Sequence, residues 1–520
     1  MPYKTQGVYS LGKGGIMKRW LVLAMTLLVA VGLLAGCGND SSKGGKHLGV
    51  GLFWFGETLD PTHEWDAWTL TRIGAGETLA TVDKDMKFQP QLADSWENVD
   101  PLTWKFHIRE NVKFQNGTVM TPDMVKASIE RTIANSKRSK EALKLDSITV
   151  EGQNLIFKTT EPNAHLLADL TEPAFVIVNV RETKDMENAP ILTGPYKIVK
   201  HTKQEEIQLE QFKEYWGGTP GLETITVKNL EDHSKRAMAL QSKDVDLIQK
   251  VDGSNRSLFE TGDYNLLEVA SVRAHMLQIN MRDGMPLADP KVREAVGLMI
   301  DYDALAKALG NGAVPGGAPF PPTANMGFDT LQHKQHKDLQ KADALLKESG
   351  YTKQGDVYVK DGKPLQLTLG TWGKDTVAYE KIQADLIEAG VAVEIKRVQG
   401  AEETLGTGGT AFDIGENNWV TLATNDPFRF FVSLFKTDAK NNRGGYSNPQ
   451  VDVLIDKMTN TFDPAERKAI TEDIQNILIQ DNAAYFLYYP ISSVATNKRV
   501  HNAQAFPIDY YLITKDITVD

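Results

Sequence analysis

A single cysteine, Cys37, among 520 residues rules out any intramolecular disulfide, so this chain must be held together by buried apolar surface. Its surroundings constrain the chain further. Lys18 and Arg19 precede an apolar run over 21–34, and the small residues Ala35 and Gly36 close it. A basic start, an apolar stretch of roughly 7 to 15 residues and small residues at the cut are what an export signal requires. The run is shorter than the roughly 18 to 20 residues of a spanning helix, and nothing later in the chain offers a second candidate. Residues 1–36 therefore read as an export segment. Met17 suits an initiator better than Met1, because 1–16 precede the basic start.

Residues 38–46 (GNDSSKGGK) are too polar and glycine-rich to fold and read as a flexible tether. The remainder far exceeds the roughly 250 to 300 residues at which a single core stops growing, so at least two domains are expected. With 41% hydrophobic and 24% charged residues, the composition is that of a globular protein with large cores. The formal charge is −11, and the first 36 residues carry four basic groups and no acid, so the exported part is more acidic still. That balance excludes nucleic acid as a partner and a surface that clings to anionic lipid.

From residue 47 onward helix and strand patterns mix. Residues 48–55 (LGVGLFWF) read as a buried strand, and 102–108 (LTWKFHI) alternate with the period of two of a half-buried strand. Gln115-Asn116-Gly117-Thr118 is a turn. Thr121-Pro122-Asp123 then offers an N-cap, a proline at the first helical position and an acid in the first turn, which predicts a helix over 122–134. Further helices are expected over 291–300, where Val292, Val296 and Met299 share a face, over 342–349 up to Gly350, and over 379–389 up to Gly390. An alternating strand, 391–398, follows directly. Ile470, Ile474, Ile477 and Leu478 make another apolar stripe ahead of a strand at 485–489. These stripes read as core faces. Residues 310–322 (GNGAVPGGAPFPP) suit no regular element and should form an ordered, structural loop.

The constellations of catalysis are missing. There is no Gly-x-Ser-x-Gly elbow, His-Glu-x-x-His pair, Walker loop or dinucleotide glycine fingerprint. The histidines are scattered, and the pair His333 and His336 lies in a polar stretch that reads as a solvated face. An exported chain without such signatures reads as a binder and not as an enzyme.

Two resemblances sharpen this. Leu33-Leu34-Ala35-Gly36-Cys37 resembles the lipobox of bacterial lipoproteins, which implies cleavage before Cys37 and acylation of its sulfur; the alternative is a buried thiol. Along the rest of the chain, six segments in order resemble the family 5 extracytoplasmic solute-binding proteins of ABC importers, the peptide and nickel receptors. They are Pro90-Gln-Leu-Ala-Asp-Ser-Trp96, Trp104-Lys-Phe-His-Ile-Arg109 with Val112-Lys-Phe-Gln-Asn-Gly117, Thr193-Gly-Pro-Tyr-Lys-Ile198, Glu214-Tyr-Trp-Gly217, Asp289-Pro-Lys-Val-Arg-Glu-Ala295 and Tyr446-Ser-Asn-Pro449. The resemblance implies an α/β, two-lobed periplasmic-binding-protein type II fold with an extra α/β subdomain on the first lobe. Lobe I would comprise 47–86, 191–270 and 489–520, the extra subdomain 87–190, and lobe II 271–488. It also implies a monomeric receptor without intrinsic cofactor. Such a receptor would be lipid-anchored outside the cytoplasmic membrane, or facing the periplasm in a two-membrane cell, would close on its ligand and would dock on an ABC permease.

The ligand is narrowed by the same comparison. Peptide receptors of this family place an aspartate a few residues after a tryptophan, shortly before an Asp-Pro step, to pair with the ligand's α-amine. In Trp419-Val-Thr-Leu-Ala-Thr-Asn-Asp-Pro427 the only acid is Asp426 of that step itself. The nickel branch lines its cleft with tryptophan and with arginines that grip a carboxylate-rich metal chelator, a task suited to bidentate pairing. Trp419 matches that tryptophan and Arg138 falls at a chelator-binding arginine. Where the branch has a second arginine this chain reads Glu172-Pro-Ala-Phe175, and 433–442 contain no histidine. The resemblance therefore implies a nickel or other transition-metal chelate whose own atoms supply most of the metal ligands. His63, beside Trp65 and Trp68, and His275, at the expected hinge, are the candidate protein ligands, against plain readings as loop and hinge histidines. Arg72 is a candidate anion contact or a surface salt bridge, and Trp65 and Asn425 complete the expected ligand contacts. A di- or oligopeptide receptor remains open, as does an extracellular enzyme or adhesion lipoprotein on the same scaffold.

Overall fold

The computed structural model describes residues 46–520 except 311, 325, 332–333, 374–375, 406–408, 410 and 424–425. Cys37, the export segment, most of the tether, His333 and Asn425 lie outside the described residues.

Leu48, Val50 and Leu52 alternate with two glycines, and this pattern sets the centre of the first sheet. The three apolar side chains are fully buried against Ile207, Leu209, Ile225 and Val227. On the other face the missing side chains admit a neighbouring turn: a Cβ on Gly49 would stand 3.1 Å from Val245 Cα, and the Gly49 N–H donates to Asp246 Oδ2 at 2.8 Å. His47–Leu52 lies parallel to Thr224–Asn229 on one side and Leu247–Gln249 on the other. Tyr264–Ala270 and Ile491–Asn497 extend the sheet at one edge and Glu206–Gln211 and Tyr196–Thr202 at the other, making seven strands. The strand stops at Leu52, short of the expected Phe55. Phe53 and Trp54 turn away from the ladder to line the cleft described below.

The second sheet has six strands in the order Val314–Pro315, Ala484–Tyr489, Arg273–Ile279, Ile414–Val420, Gln366–Thr371 and Ala392–Arg397. Helix Val377–Ala389 connects the last two, which are parallel, and ends where Gly390 takes a left-handed φ of 110°. The proline-rich loop, expected to hold no regular element, contributes a two-residue strand, Val314–Pro315. It pairs Val314 and Pro315 with Tyr489 and Tyr488, and it passes so close to that strand that a Cβ on Gly316 would stand 2.0 Å from the Phe486 carbonyl oxygen. A third, four-stranded antiparallel sheet (Ala93–Asp100, Thr103–Ile108, Asn154–Thr159, Leu145–Glu151) is backed by helix Pro122–Asn135. Trp104, Phe106 and Ile108 point inward with the alternation the sequence predicts, onto Val125, Ile129 and Phe157. The short ladder between Ala80–Val82 and Phe88–Pro90 crosses the 86/87 boundary, so that boundary falls inside a hairpin.

Two strand pairs pass from the first sheet to the second. Tyr264–Ala270 continues into Arg273–Ile279, and Ala484–Tyr489 into Ile491–Asn497. The crossings touch, because the Ser271 N–H donates to the Pro490 carbonyl at 2.9 Å.

The family-like segments collect at joints. Gln115 Nε2 reaches the carbonyls of Ala75, Gly194 and Tyr196 at 3.2, 3.0 and 2.9 Å. Buried Glu77 accepts from Tyr215 Oη at 2.6 Å and from Trp216 Nε1 at 3.0 Å, while Arg109 stacks on Trp216 at 4.4 Å and donates to the Gln91 carbonyl at 2.9 Å. Asp481 gathers two more segments: Tyr446 Oη and Asn448 Nδ2 donate to its carboxylate at 2.6 and 2.8 Å, and Arg293 Nε to its carbonyl at 3.0 Å.

Candidate functional site

The cleft between the two large sheets is floored by aromatic rings. Helix Ala67–Arg72 puts Trp68 and Arg72 one turn apart on the same side. The Trp68 ring contacts Trp54, Trp65 and Tyr510, with centroids 6.5, 5.0 and 4.9 Å away. Asp66 shapes the loop before this helix by accepting the N–H groups of Glu57 and Thr58 at 3.0 and 2.8 Å. It also holds His63 Nδ1 at 2.8 Å, which raises the pKa of that exposed imidazole.

Arg72 is fully buried, contrary to the surface alternative. Its Nε donates to the Asp509 carbonyl at 2.8 Å, its Nη2 lies 3.6 Å from Asp509 Oδ2 without a hydrogen-bond partner, and its Cζ sits 5.0 Å from the centroid of Phe53. Burial lowers its pKa, and Asp509 opposes that effect. Arg138 lies 4.2 Å above the Trp65 ring and is paired with Glu172, which begins the segment 172–175 where a second arginine was looked for. The charge of Arg138 is thus partly neutralised by a glutamate of that segment.

Across the cleft, helix Phe428–Leu434 carries Arg429, whose Nε donates to Asp169 Oδ1 at 2.5 Å, and Phe428 stacks on His165 at 4.1 Å. Burial raises the Asp169 pKa although Arg429 opposes it. Asp426 is committed locally: it accepts the Phe428 N–H at 2.8 Å and Arg467 Nη2 at 2.5 Å.

Arg273 and His275 share one face of Arg273–Ile279. Arg273 Nη1 donates to Asn418 Oδ1 at 2.8 Å, and His275 lies flat on Tyr488, centroids 4.5 Å apart. Burial, then Arg273 and Lys250, push the His275 imidazole down to about 3, so it is neutral at ordinary pH. Trp419 pairs with Ala274 in the adjoining strand and packs, half-buried, on the cluster around Phe430 and Phe431, the opposite face from His275. The structure thus brings Trp65 and Arg138 into contact, buries Arg72 against Phe53, Trp54 and Asp509, and sets His275 and Trp419 on opposite faces of the second sheet. Lys250, Arg273, Arg429 and Tyr510 were not singled out from sequence. The one local signal was that Lys250 follows a buried strand, Leu247–Gln249.

Among the described residues no three His, Cys, Asp or Glu side chains converge as a metal site, and no helix is long and apolar enough to cross a membrane. Two α/β lobes joined by paired strands, with aromatic rings and arginines between them, make the architecture of a solute-binding protein. The chain belongs to the bacterial extracellular solute-binding proteins, family 5, whose pattern matches residues 87–442. It is 30% identical to the nickel-binding protein NikA of Staphylococcus aureus over 95% of this chain and 98% of that protein. The crystal structure of that NikA in complex with Ni(L-His)2 superposes with a TM-score of 0.76 at 28% identity, covering 92% of this chain and all of the other. A nickel ABC transporter structure from Bacillus halodurans gives 0.79 at 29% identity, covering 91% and 100%. The glutathione-binding protein GsiB of Pectobacterium atrosepticum is 27% identical over 95% of this chain and 96% of its own length.

Proposed function

We propose that this protein is the receptor of an ABC importer for a nickel or other transition-metal chelate, enclosed between lobe I (47–86, 191–270, 489–520) and lobe II (271–488) and handed to a membrane permease. The observation that carries the reading is a cleft of tryptophans and arginines in which, among the described residues, no metal-binding side chains converge. In such a cleft a metal has to arrive already ligated. Arg138, Trp65 and Trp419 are the contacts proposed for the chelate; Arg72 is fully buried and His275 lies on the face of its sheet opposite Trp419, so neither is proposed to touch it. End-to-end similarity to a nickel-binding protein supports the same reading. A peptide fits less well, because Asp426, the only acid where peptide receptors hold the α-amine, is taken by Arg467 and a helix start. We also propose that the receptor is monomeric and that Cys37, after cleavage, carries the lipid that keeps the tethered lobes outside the membrane.

Native mass spectrometry of protein purified from its own host tests the cargo. A bound mass with a nickel or other transition-metal isotope pattern is expected. A peptide mass, or turnover of any solute by the pure protein, would overturn the proposal.

A further inference from the structure

Lobe II meets the chain a second time beyond the crossing strands. Helix Phe428–Leu434 and the loop 459–463, which links helices Pro449–Met458 and Pro464–Gln480, rest on the body built around the third sheet, through elements that take no part in the crossing. Arg429 Nε donates to Asp169 Oδ1 at 2.5 Å, and Phe428 stacks on His165 with 25° between the ring planes. Nearby, the Ala164 N–H donates to the Thr459 carbonyl at 2.9 Å, and the Phe462 ring lies 6.3 Å from that of Trp104.

Each half of this contact is braced on its own side. Trp104 Nε1 donates to the Asn163 carbonyl at 2.9 Å, and Asn163 Oδ1 accepts the His165 N–H at 3.1 Å. Opposite them, Asp426 holds the Phe428 N–H and Arg467 Nη2, and Arg467 Nη1 donates to the Thr461 carbonyl at 3.0 Å, which ties the helix start to the loop. Two pre-formed faces therefore meet, and what joins them is incompletely satisfied. His165 Nδ1, Asp169 Oδ2 and Arg429 Nη2 are buried without a hydrogen-bond partner among the described residues. At the Glu77 joint, by contrast, both carboxylate oxygens are used. A charge-assisted hydrogen bond favours contact, whereas parting the faces returns three stranded polar atoms to water. Opposed terms of similar size leave a contact that can be made and broken. It borders the cleft, because the Glu172 N–H donates to the Asp169 carbonyl at 3.1 Å and the Glu172 side chain pairs with Arg138.

We propose that the segment 163–169 is a releasable catch for lobe II. Asp169 with Arg429, and His165 with Phe428, hold a share of the cargo-free receptor closed, so the body around the third sheet, and not the hinge alone, sets how readily the receptor opens. The catch acts whatever the cargo is.

Double electron–electron resonance on cargo-free protein tests this. Spin labels go on E141C and V453C, exposed positions on helices Lys137–Leu143 and Pro449–Met458, one on each body, with C37A so that no other thiol reacts. With the catch intact, a short and a long distance are expected. R429E sets two carboxylates against each other and should lower the ratio of short to long by at least about tenfold, the lower end for a lost charge-assisted hydrogen bond. D169R/R429E restores opposite charges and should bring the short distance back. The melting temperature of R429E should stay within about 5 °C of the parent, because parting the faces relieves the repulsion. A single distance in the parent, an R429E distribution equal to it, or a double variant that behaves like R429E would overturn the catch. So would an R429E chain that melts far lower or does not fold, since the contact would then be a fixed part of the structure.

Discussion

Glu77 gives the most direct test of the physics at the joints. Its carboxyl is 2% exposed. Desolvation pushes its pKa from 4.5 to about 7, although Tyr215, Trp216 and the nearby Arg109 favour the ionised form. Between those two values the folded chain holds a proton that the unfolded chain has released. Stability must therefore fall as pH rises from below 4.5 to above 7, and level off beyond. Each pH unit separating the folded and unfolded pKa is worth about 1.4 kcal/mol, so the whole fall attributable to this group is about 3 kcal/mol. E77Q removes the titration and exchanges one acceptor for a donor facing Tyr215 or Trp216, a loss of about 1 kcal/mol. Urea unfolding of both proteins from pH 4.5 to 8.5 should show the variant less stable than wild type by about 1 kcal/mol at the acid end. At the alkaline end it should be more stable by about 2 kcal/mol. Parallel curves, or a wild type that gains on the variant with rising pH, would refute the reasoning, because the hydrogen bonds would then outweigh desolvation.

D169L leaves Arg429, whose side chain is 29% exposed, without its partner and should cost about 1 to 3 kcal/mol in denaturant unfolding, whereas D169L/R429L, which removes both charges, should recover most of that loss. Gly316→Ala sets a methyl against the Phe486 carbonyl and should lower stability by about 3 kcal/mol, read from the melting temperature. Proton NMR between pH 5 and 8 should show no titration of His275, whose pKa is about 3, while His63 titrates above the usual histidine midpoint because Asp66 holds its proton.

Local features were legible in the sequence. The alternation of 103–108 lies within the few residues it specifies, whereas the caps at Asp289, Asn448 and Asp463, whose side chains accept N–H groups of their own helices, were not singled out. The helix over 122–134 formed as Pro122–Asn135, although the Thr121 side chain makes no cap bond. The cleft was less legible, because its pairs join distant parts of the chain. Arg72 and Asp509 are 437 residues apart and Asp169 and Arg429 are 260 apart, so no spacing rule announces either. The apolar run 48–55 shows the same limit. Composition cannot tell Leu52, which pairs in the sheet, from Phe53 and Trp54, which leave it to face Arg72.

The residues that bind the joints, Gln115, Tyr215, Trp216, Arg109, Tyr446 and Arg293, are those through which the family resemblance is seen, and none of them belongs to the ring of charges around Tyr510. The marks of kinship and the charges around Tyr510 are thus written in separate parts of this chain. Exchanges among those charges can leave every residue that marks its ancestry in place.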